Sequence, residues 1–155
     1  SLTTITTTNN SLSVDPQGAR ITNLTLSDIN ILTTITRGDG KLGNTHPCTP
    51  IFGPDRNRLF DLNQHGDLRN QLCQLTTNST NEIVINHQIS DPGYPHGLTI
   101  NQTFTLAPNS FSLTTKHSNT GTQPVPLNFG EHCYFDAPQG FQGTKLNSKD
   151  ITDLI

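Results

Sequence analysis

The chain has 155 residues, a hydrophobic fraction of 30%, a net charge of −3 and a pI near 6.0. This length suits one domain, here residues 1–155. The nine lysines and arginines are scattered, whereas a polyanion needs a basic face, so we exclude nucleic acid as the main partner. No apolar run approaches the roughly 20 residues of a membrane span, so no membrane partner is predicted either.

The cysteines and the start of the chain indicate the compartment. Cys48, Cys73 and Cys133 are odd in number and widely spaced, which is typical of free thiols and not of a disulfide framework. No charged start followed by an apolar stretch marks a signal peptide. We therefore expect a cytoplasmic protein.

Strand-like runs separated by turn residues follow one another from the first residues onward, and no segment has a convincing helical pattern. In the first part of the chain the predicted strands are residues 2–8, 11–14, 19–26 and 29–35. The segment 41–63 then loses its periodicity, because Pro47, Pro50, Gly53 and Pro54 interrupt it. A loop of this length inside a domain is usually functional or disordered.

Regular alternation of apolar and polar residues returns in the second part of the chain. Predicted strands there are residues 71–77, 82–89, 98–106 and 111–117, with short apolar runs at 125–129 and 133–135. In 98–106 the apolar positions are Leu98 and Ile100 and then, after a shift, Phe104 and Leu106. Many short strands with regular turns predict an all-β fold, a sandwich or a barrel.

Two short segments carry residue types suited to chemistry. His65 precedes Gly66 and lies four residues before Arg69, directly after the long loop, so the two polar side chains are candidates for a loop-borne site. The alternative is a surface histidine with a solvated arginine. His132 lies in an aromatic and acidic stretch, 131–136, and an imidazole there suits acid or base work near neutral pH. The alternative is a histidine at the edge of the core, satisfied by hydrogen bonds.

The remaining histidines, His46, His87, His96 and His117, have no spacing typical of metal ligands and are interpreted as structural or exposed. Arg56 and Arg58 in the long loop are candidates for binding an anionic group such as a sugar phosphate, with a solvated loop charge as the alternative. No metal or organic cofactor is predicted.

Three groups of residues, in the same order along the chain, resemble the aldose 1-epimerase (mutarotase) family. Residues 12–24 resemble its opening hairpin, where a Gly-Ala or Gly-Gly pair precedes an apolar strand. Residues 46–54 with 64–69 resemble the block "P-x-L-F-P … Q-H-G-F-A-R" of the short bacterial and hexose-6-phosphate mutarotase-like branch. Residues 104–113 with 118–135 resemble "Y-x-L … N-T-G-x-x-P-x-P … H-x-Y-F".

The resemblance implies an antiparallel β-sandwich of the galactose mutarotase-like type and interconversion of the α and β anomers of an aldohexose or its phosphate. It implies that His132 is the acid at the ring oxygen. His65 would hydrogen-bond the sugar and help to stabilise developing charge, and Arg69 would help to fix the substrate. Arg56 remains a candidate for a phosphate.

Two departures from the family pattern limit these expectations. Asp67 stands where the family has an aromatic residue, so the pocket wall is expected to differ. The family's general base is a glutamate near the C-terminus of a longer chain, and neither Glu82 nor Glu131 occupies its place. We therefore expect an N-terminal portion of the fold, to be completed by a C-terminal segment or a second chain. A non-catalytic carbohydrate-binding module and a structural β-sandwich remain as alternatives.

Overall fold

A computed structural model describes residues 1–140, 142, 145–146 and 149–150, and the regular secondary structure of these residues is almost entirely β-strand. The strands are β1 (Thr3–Thr7), β2 (Asn10–Asp15), β3 (Arg20–Leu26), β4 (Ile29–Leu32), β5 (Ile35–Thr36), β6 (Leu42–Gly43), β7 (His46–Cys48), β8 (Gln74–Asn78), β9 (Glu82–Gln88), β10 (Leu98–Ala107), β11 (Ser110–Asn119), β12 (Gly130–His132), β13 (Lys145–Leu146) and β14 (Lys149–Asp150). One turn of 3-10 helix covers Leu68–Asn70. Among the described residues, no helix has the length and apolar character needed to cross a membrane.

Two four-stranded antiparallel sheets form the body of the fold. The first has the strand order β1-β2-β3-β4 and the second has the order β11-β10-β9-β8, so sequential strands are neighbours in both. Strands β1 and β2 contact β9 and β10 of the other sheet. The apolar faces therefore pack against each other in a sandwich, which confirms the predicted fold class.

Alternation of apolar and polar residues decides which face of each strand enters the core. In β2, Leu12 and Val14 are fully buried while their neighbours are half-buried. In β10, every second residue from Leu98 to Leu106 is buried. The predicted shift of register in this strand is wrong, because Gln102 occupies the buried position between Ile100 and Phe104. A polar side chain in the core face hid an otherwise strict period of two.

Between β4 and β8 along the chain, short strands form pairings that the alternation of apolar and polar residues did not predict. The predicted strand 29–35 is broken into β4 and β5, which belong to different sheets. The loop predicted over 41–63 contains β6 and β7. Strand β7 pairs with β12, which lies far along the chain. Such short strands are stabilised by a remote partner and leave no local signal in the sequence.

Candidate functional site

The pairing of β7 with β12 brings two histidines together. His46 and His132 are direct cross-strand partners in this antiparallel pair. Their ring centroids lie 5.2 Å apart with an interplanar angle of 8°, so the rings are stacked. His46 is only 5% exposed, whereas His132 is half-buried. The shared register thus places one imidazole deep in the site and the other nearer its surface.

A third histidine joins this pair from the turn that precedes the 3-10 helix. The ring centroid of His65 is 5.4 Å from that of His132 and 6.3 Å from that of His46. The turn is held at Gly53, whose carbonyl oxygen accepts from the His65 backbone N–H at 2.9 Å. Gly66, at φ +68°, packs so closely on Thr49 that a Cβ would collide with the Thr49 carbonyl. Glycine is therefore required beside His65 for the turn to reach the end of β7.

Hydrogen bonding assigns His46 one tautomer. Its Nδ1 lies 2.7 Å from the carbonyl oxygen of Asn44, and because a carbonyl only accepts, Nδ1 carries the hydrogen. Its Nε2 is buried and has no partner within the described part of the chain. Burial is the main cause that lowers the pKa of His46 to about 4; the hydrogen bond to Asn44 opposes it, and the charges of Arg20 and His132 act in the same direction as burial. At neutral pH His46 is therefore an uncharged ring whose Nε2 is a hydrogen-bond acceptor.

His65 takes the opposite tautomer. The backbone N–H of Gly53 donates to its Nδ1 at 3.0 Å, so Nδ1 is unprotonated. Nε2 then carries the hydrogen of the neutral ring and faces the side-chain amide of Gln64 at 3.4 Å, whose oxygen can accept when the amide is turned. Burial lowers the pKa of His65, and the charges of Arg69 and His132 act in the same direction. The cluster thus contains one ring that accepts through Nε2 and one that donates through Nε2.

Two aromatic side chains border the histidine cluster. Tyr134 stacks on His132 with a centroid distance of 5.0 Å. Phe52 meets His65 edge-on at 5.4 Å. The backbone of Tyr134 is fixed by its N–H, which donates to Thr45 Oγ1 at 3.0 Å. These rings form an apolar border to the histidine cluster.

Arg69 is positioned by the contact between the β2–β3 hairpin and the 3-10 helix. Gly18 approaches the backbone of Arg69 so closely that a Cβ would collide with its carbonyl oxygen. Arg20 Nη2 donates to that same carbonyl at 2.6 Å. Ahead of the helix, the backbone N–H of Asp67 donates to Asp91 Oδ1 at 2.8 Å. Asp67 therefore braces the turn, and it is not among the residues that line the cavities described next.

Two adjoining cavities open beside the histidines. The larger has a volume of about 370 Å³ and is lined by all three clustered histidines, Arg69 and Gln64, among others. The smaller has a volume of about 200 Å³ and is lined by Arg20, Lys41, Asn70 and neighbouring residues. Arg37, Lys41, His46, Arg69 and Tyr134 line both. Within the described residues, no group of three His, Cys, Asp or Glu side chains is arranged to hold a metal ion.

The chain was compared with protein families and with solved structures. The family model for aldose 1-epimerase matches residues 31–153, most of the chain. This chain belongs to the aldose 1-epimerase family. A search of curated proteins found no match.

Solved structures support the same fold for this aldose 1-epimerase family member. It resembles a galactose mutarotase related enzyme from Lactobacillus acidophilus, with a TM-score of 0.78 and 17% identity over 94% of this chain and 52% of that one. A galactose mutarotase-like protein from Lactobacillus casei has a TM-score of 0.75 and 17% identity over 87% of this chain and 50% of that one. An aldose epimerase homologue from C. elegans gives a TM-score of 0.59 at 16% identity, covering 88% and 50% of the two chains. This chain therefore spans about half the length of these structures.

Three of the four predicted site residues meet in this family member, and one does not. His65, His132 and Arg69 all line the larger cavity. Arg56 is exposed in the preceding loop and lines neither cavity. His46, interpreted from sequence as structural or exposed, is buried and lines both. The cations Arg20, Arg37 and Lys41 were also missed, because scattered basic residues in sequence give no sign that they converge.

Glu131 lies next to His132 in β12, but its side chain does not line either cavity. Its Oε1 accepts from Nε2 of the buried Gln102 at 2.6 Å, and it lines neither cavity. Burial raises the pKa of Glu131 to about 7, an effect that the Gln102 hydrogen bond partly opposes. Neighbouring residues of a strand point to opposite faces, so His132 and Glu131 cannot both serve the same cavity.

Proposed function

We propose that the histidine-lined cavity binds an aldose and that this chain supplies the acid side of a mutarotase site. The observation that carries the proposal is the convergence of His46, His65 and His132 on one cavity together with Arg69. A concave site with a few convergent polar groups and an aromatic wall suits a sugar. Membership of the aldose 1-epimerase family supports this reaction class.

The proposed reaction opens and recloses the sugar ring. A base takes the proton of the C1 hydroxyl, the bond between C1 and the ring oxygen breaks, and an acid protonates the ring oxygen as the aldehyde forms. Rotation about C1–C2 followed by the reverse steps gives the other anomer. His132 is the proposed acid, because an imidazole gives and takes protons readily near neutral pH.

The remaining residues hold the sugar in this proposal. His65 donates a hydrogen bond through Nε2 to a sugar oxygen, since its Nδ1 is occupied by Gly53. Arg69, which lines the same cavity, fixes the substrate. Positioning of this kind lowers the entropy cost of reaching the reactive geometry.

The general base is proposed to come from outside the described residues, from a C-terminal segment or a second chain. Among the described residues that line the larger cavity, Asp39 is the single acid, and it is ion-paired with Arg37 at 3.2 Å. The solved relatives have about twice the span covered here, which leaves room for such a contribution.

Anomeric exchange measured by NMR tests the proposal. Glucose, galactose and glucose 6-phosphate are each equilibrated with wild type, His132→Ala and His96→Ala, the last being an exposed histidine remote from the cavity. Together with the segment or second chain that supplies the base, we expect the wild type to accelerate exchange and His132→Ala to lower that rate by about 10²-fold or more. His96→Ala should match the wild type. Binding without exchange would favour the non-catalytic carbohydrate-binding module, and exchange unaffected by His132→Ala would contradict the assigned acid.

A further inference from the structure

The side chain of Glu131 links the strand that carries the proposed acid to the core of the second sheet. Glu131 and His132 are neighbours in β12, and successive residues of a strand face opposite sides. On the side away from the histidine-lined cavity, Glu131 Oε1 lies 2.6 Å from Nε2 of Gln102, a β10 side chain that is only 2% exposed. A carboxyl group and a core amide therefore meet directly behind β12.

The side-chain amide of Gln102 lacks one hydrogen-bond donor. Both of its own hydrogens are used, because Nε2 donates to Thr115 Oγ1 at 3.2 Å as well as to Glu131. Its Oε1 is buried and has no partner in the described part of the chain, and such an acceptor is destabilising because it has lost its bond to water. Turning the amide would set its oxygen against Glu131 at 2.6 Å, a contact that also requires a hydrogen between the two oxygens.

A protonated Glu131 carboxyl supplies the missing hydrogen. A carboxylic acid has a hydroxyl donor on one oxygen and an acceptor on the other, and a primary amide offers the complementary acceptor and donor on its own planar group. With Oε1 accepting from Gln102 Nε2, a hydroxyl on Oε2 would donate to Gln102 Oε1. We term this two-bond arrangement the acid–amide pair. An ionised carboxylate only accepts, so it cannot complete the pair.

The groups packed around Glu131 do not favour its ionised form. It forms no ion pair within the described residues, and its cross-strand partner in β7 is Pro47. Burial raises the pKa of the nearby Cys48 thiol to about 12 and also raises that of Cys133, so both thiols are uncharged at neutral pH. Burial lowers the pKa of His117 on β11. Burial likewise raises the pKa of Glu131 to about 7.

The ring of His132 depends on β12 for its position. Its Nδ1 is buried without a partner in the described part of the chain, and the ring stacks on His46 and Tyr134. Stacking contacts are less directional than hydrogen bonds, so the ring follows the backbone of its strand. That strand has three residues and pairs with one other strand, β7. A side-chain link from β12 to the second sheet therefore decides how firmly His132 is held.

We propose that Glu131 is a positioning residue for His132, which in its protonated form makes the acid–amide pair with Gln102 and so holds β12 against the second sheet. As pH rises the proton leaves to solvent, the pair loses one hydrogen bond, and a carboxylate remains among uncharged groups. Strand β12 is then released, and His132 with it. The inference rests on the proposed function for the role of His132, whereas the anchoring of β12 requires no sugar.

Carbon-13 NMR tests the protonation of Glu131 directly. The chain contains two glutamates, Glu131 and Glu82, so labelled glutamate gives two side-chain carboxyl signals. Glu131→Gln removes one signal and thereby assigns both. We expect the Glu131 signal to be that of the acid at about pH 5.5 and that of the carboxylate at about pH 8.5. A carboxylate signal for Glu131 at the lower pH would overturn the proposal.

Hydrogen exchange of the β7 and β12 backbone amides tests the anchor. The new amide of Glu131→Gln can make both bonds to Gln102 at every pH, so this variant reproduces the acid form. Glu82→Gln, in β9 and outside both cavities, is the matched control. The three proteins should exchange alike at about pH 5.5, and at about pH 8.5 wild type and Glu82→Gln should exchange about tenfold or more faster than Glu131→Gln. Equal exchange of wild type and Glu131→Gln at the higher pH would overturn the anchor.

Glucose dissociation constants at the same two pH values separate this inference from the proposed function. We expect wild type and Glu131→Gln to bind glucose equally at the lower pH and Glu131→Gln to bind it several-fold more tightly at the higher pH. If the β12 amides respond as expected while no protein binds glucose, the anchor stands and the sugar function is wrong. If glucose binds but neither amide exchange nor affinity differs between the two proteins, the sugar function stands and the positioning role is wrong. A response of the amides with no change in affinity would also overturn the positioning role.

Discussion

His46 and His132 are cross-strand partners whose rings stack at 5.2 Å, yet only one of them is buried. The backbone carbonyl of Asn44 orients the buried ring. The ring stacked on His132 is therefore uncharged at neutral pH. Protonation of His132 would not be opposed by the charge of a second imidazolium in contact with it. This arrangement is compatible with the acid role proposed for His132.

The pH dependence of stability should report the burial of His46. Its folded pKa of about 4 lies below the ordinary value of 6.5, so its contribution is present above pH 6.5 and is lost as pH falls through 4. The loss should be on the order of 3 kcal/mol. Urea unfolding of wild type and His46→Phe across this range isolates the effect as a difference curve. A difference that does not change with pH would contradict the assigned burial.

Glu131 should show the opposite dependence. Its folded pKa of about 7 exceeds the ordinary 4.5, so its favourable contribution is complete below pH 4.5 and is lost as pH rises through 7. Glu131→Gln keeps an oxygen that accepts from Gln102 and removes the buried charge. We expect this variant to be more stable than wild type at pH 8.5, by an amount on the order of 3 kcal/mol, and equally stable at pH 4. Equal free energies of unfolding at both pH values would show that the carboxylate is solvated.

Gly66 should resist substitution more strongly than a glycine with positive φ in open space. Gly66→Ala would combine backbone strain with a collision at the Thr49 carbonyl and should destabilise by about 2–4 kcal/mol while displacing His65. Gly40→Ala is the matched control, because Gly40 has φ +78° and open space around it. It should lose only about 1 kcal/mol from strain. Thermal unfolding measures both, and similar losses would mean that the close approach of the turn to β7 does not matter.

Asp91 should act on the site through the turn that carries His65 and Arg69. The carboxylate is 3% exposed and accepts from the Asp67 N–H, so Asp91→Ala leaves that donor unsatisfied. We expect a loss of about 1–3 kcal/mol and a shift of the His65 ring resonances. Asp91→Asn keeps an acceptor oxygen and should lose less. If the two variants are equally destabilised and the His65 resonances are unmoved, Asp91 is only a packing element.

The sandwich could be predicted from the sequence because apolar and polar residues alternate within individual strands such as β2 and β10. The exception is instructive, since Gln102 interrupts the alternation of β10 by sequence while its side chain still enters the core. The histidine-glycine pair at 65–66 could be recognised in the sequence as a motif. The need for glycine there could not, because it comes from the contact of Gly66 with Thr49 in the folded chain.

The parts of the site that were missed depend on contacts remote in sequence. His46 joins the site only through the pairing of β7 with β12, and strands of three residues have no periodicity to detect. Arg37 and Lys41 flank a short turn and are indistinguishable in sequence from solvated loop charges such as Arg56. Their convergence with Arg20 and Arg69 depends on the contact between the β2–β3 hairpin and the 3-10 helix, which joins residues that are remote in sequence.

The central claim is that a sugar binds against the histidine cluster, and the six histidines of the chain provide both the probes and the controls for it. The measurement is a titration of the wild-type chain with glucose 6-phosphate and with glucose, following the ring resonances of every histidine by NMR. Saturable shifts of His46, His65 and His132, with His87, His96 and His117 unmoved, are the predicted result. Shifts at the second group, or no shift at any ring in a folded sample, would contradict it.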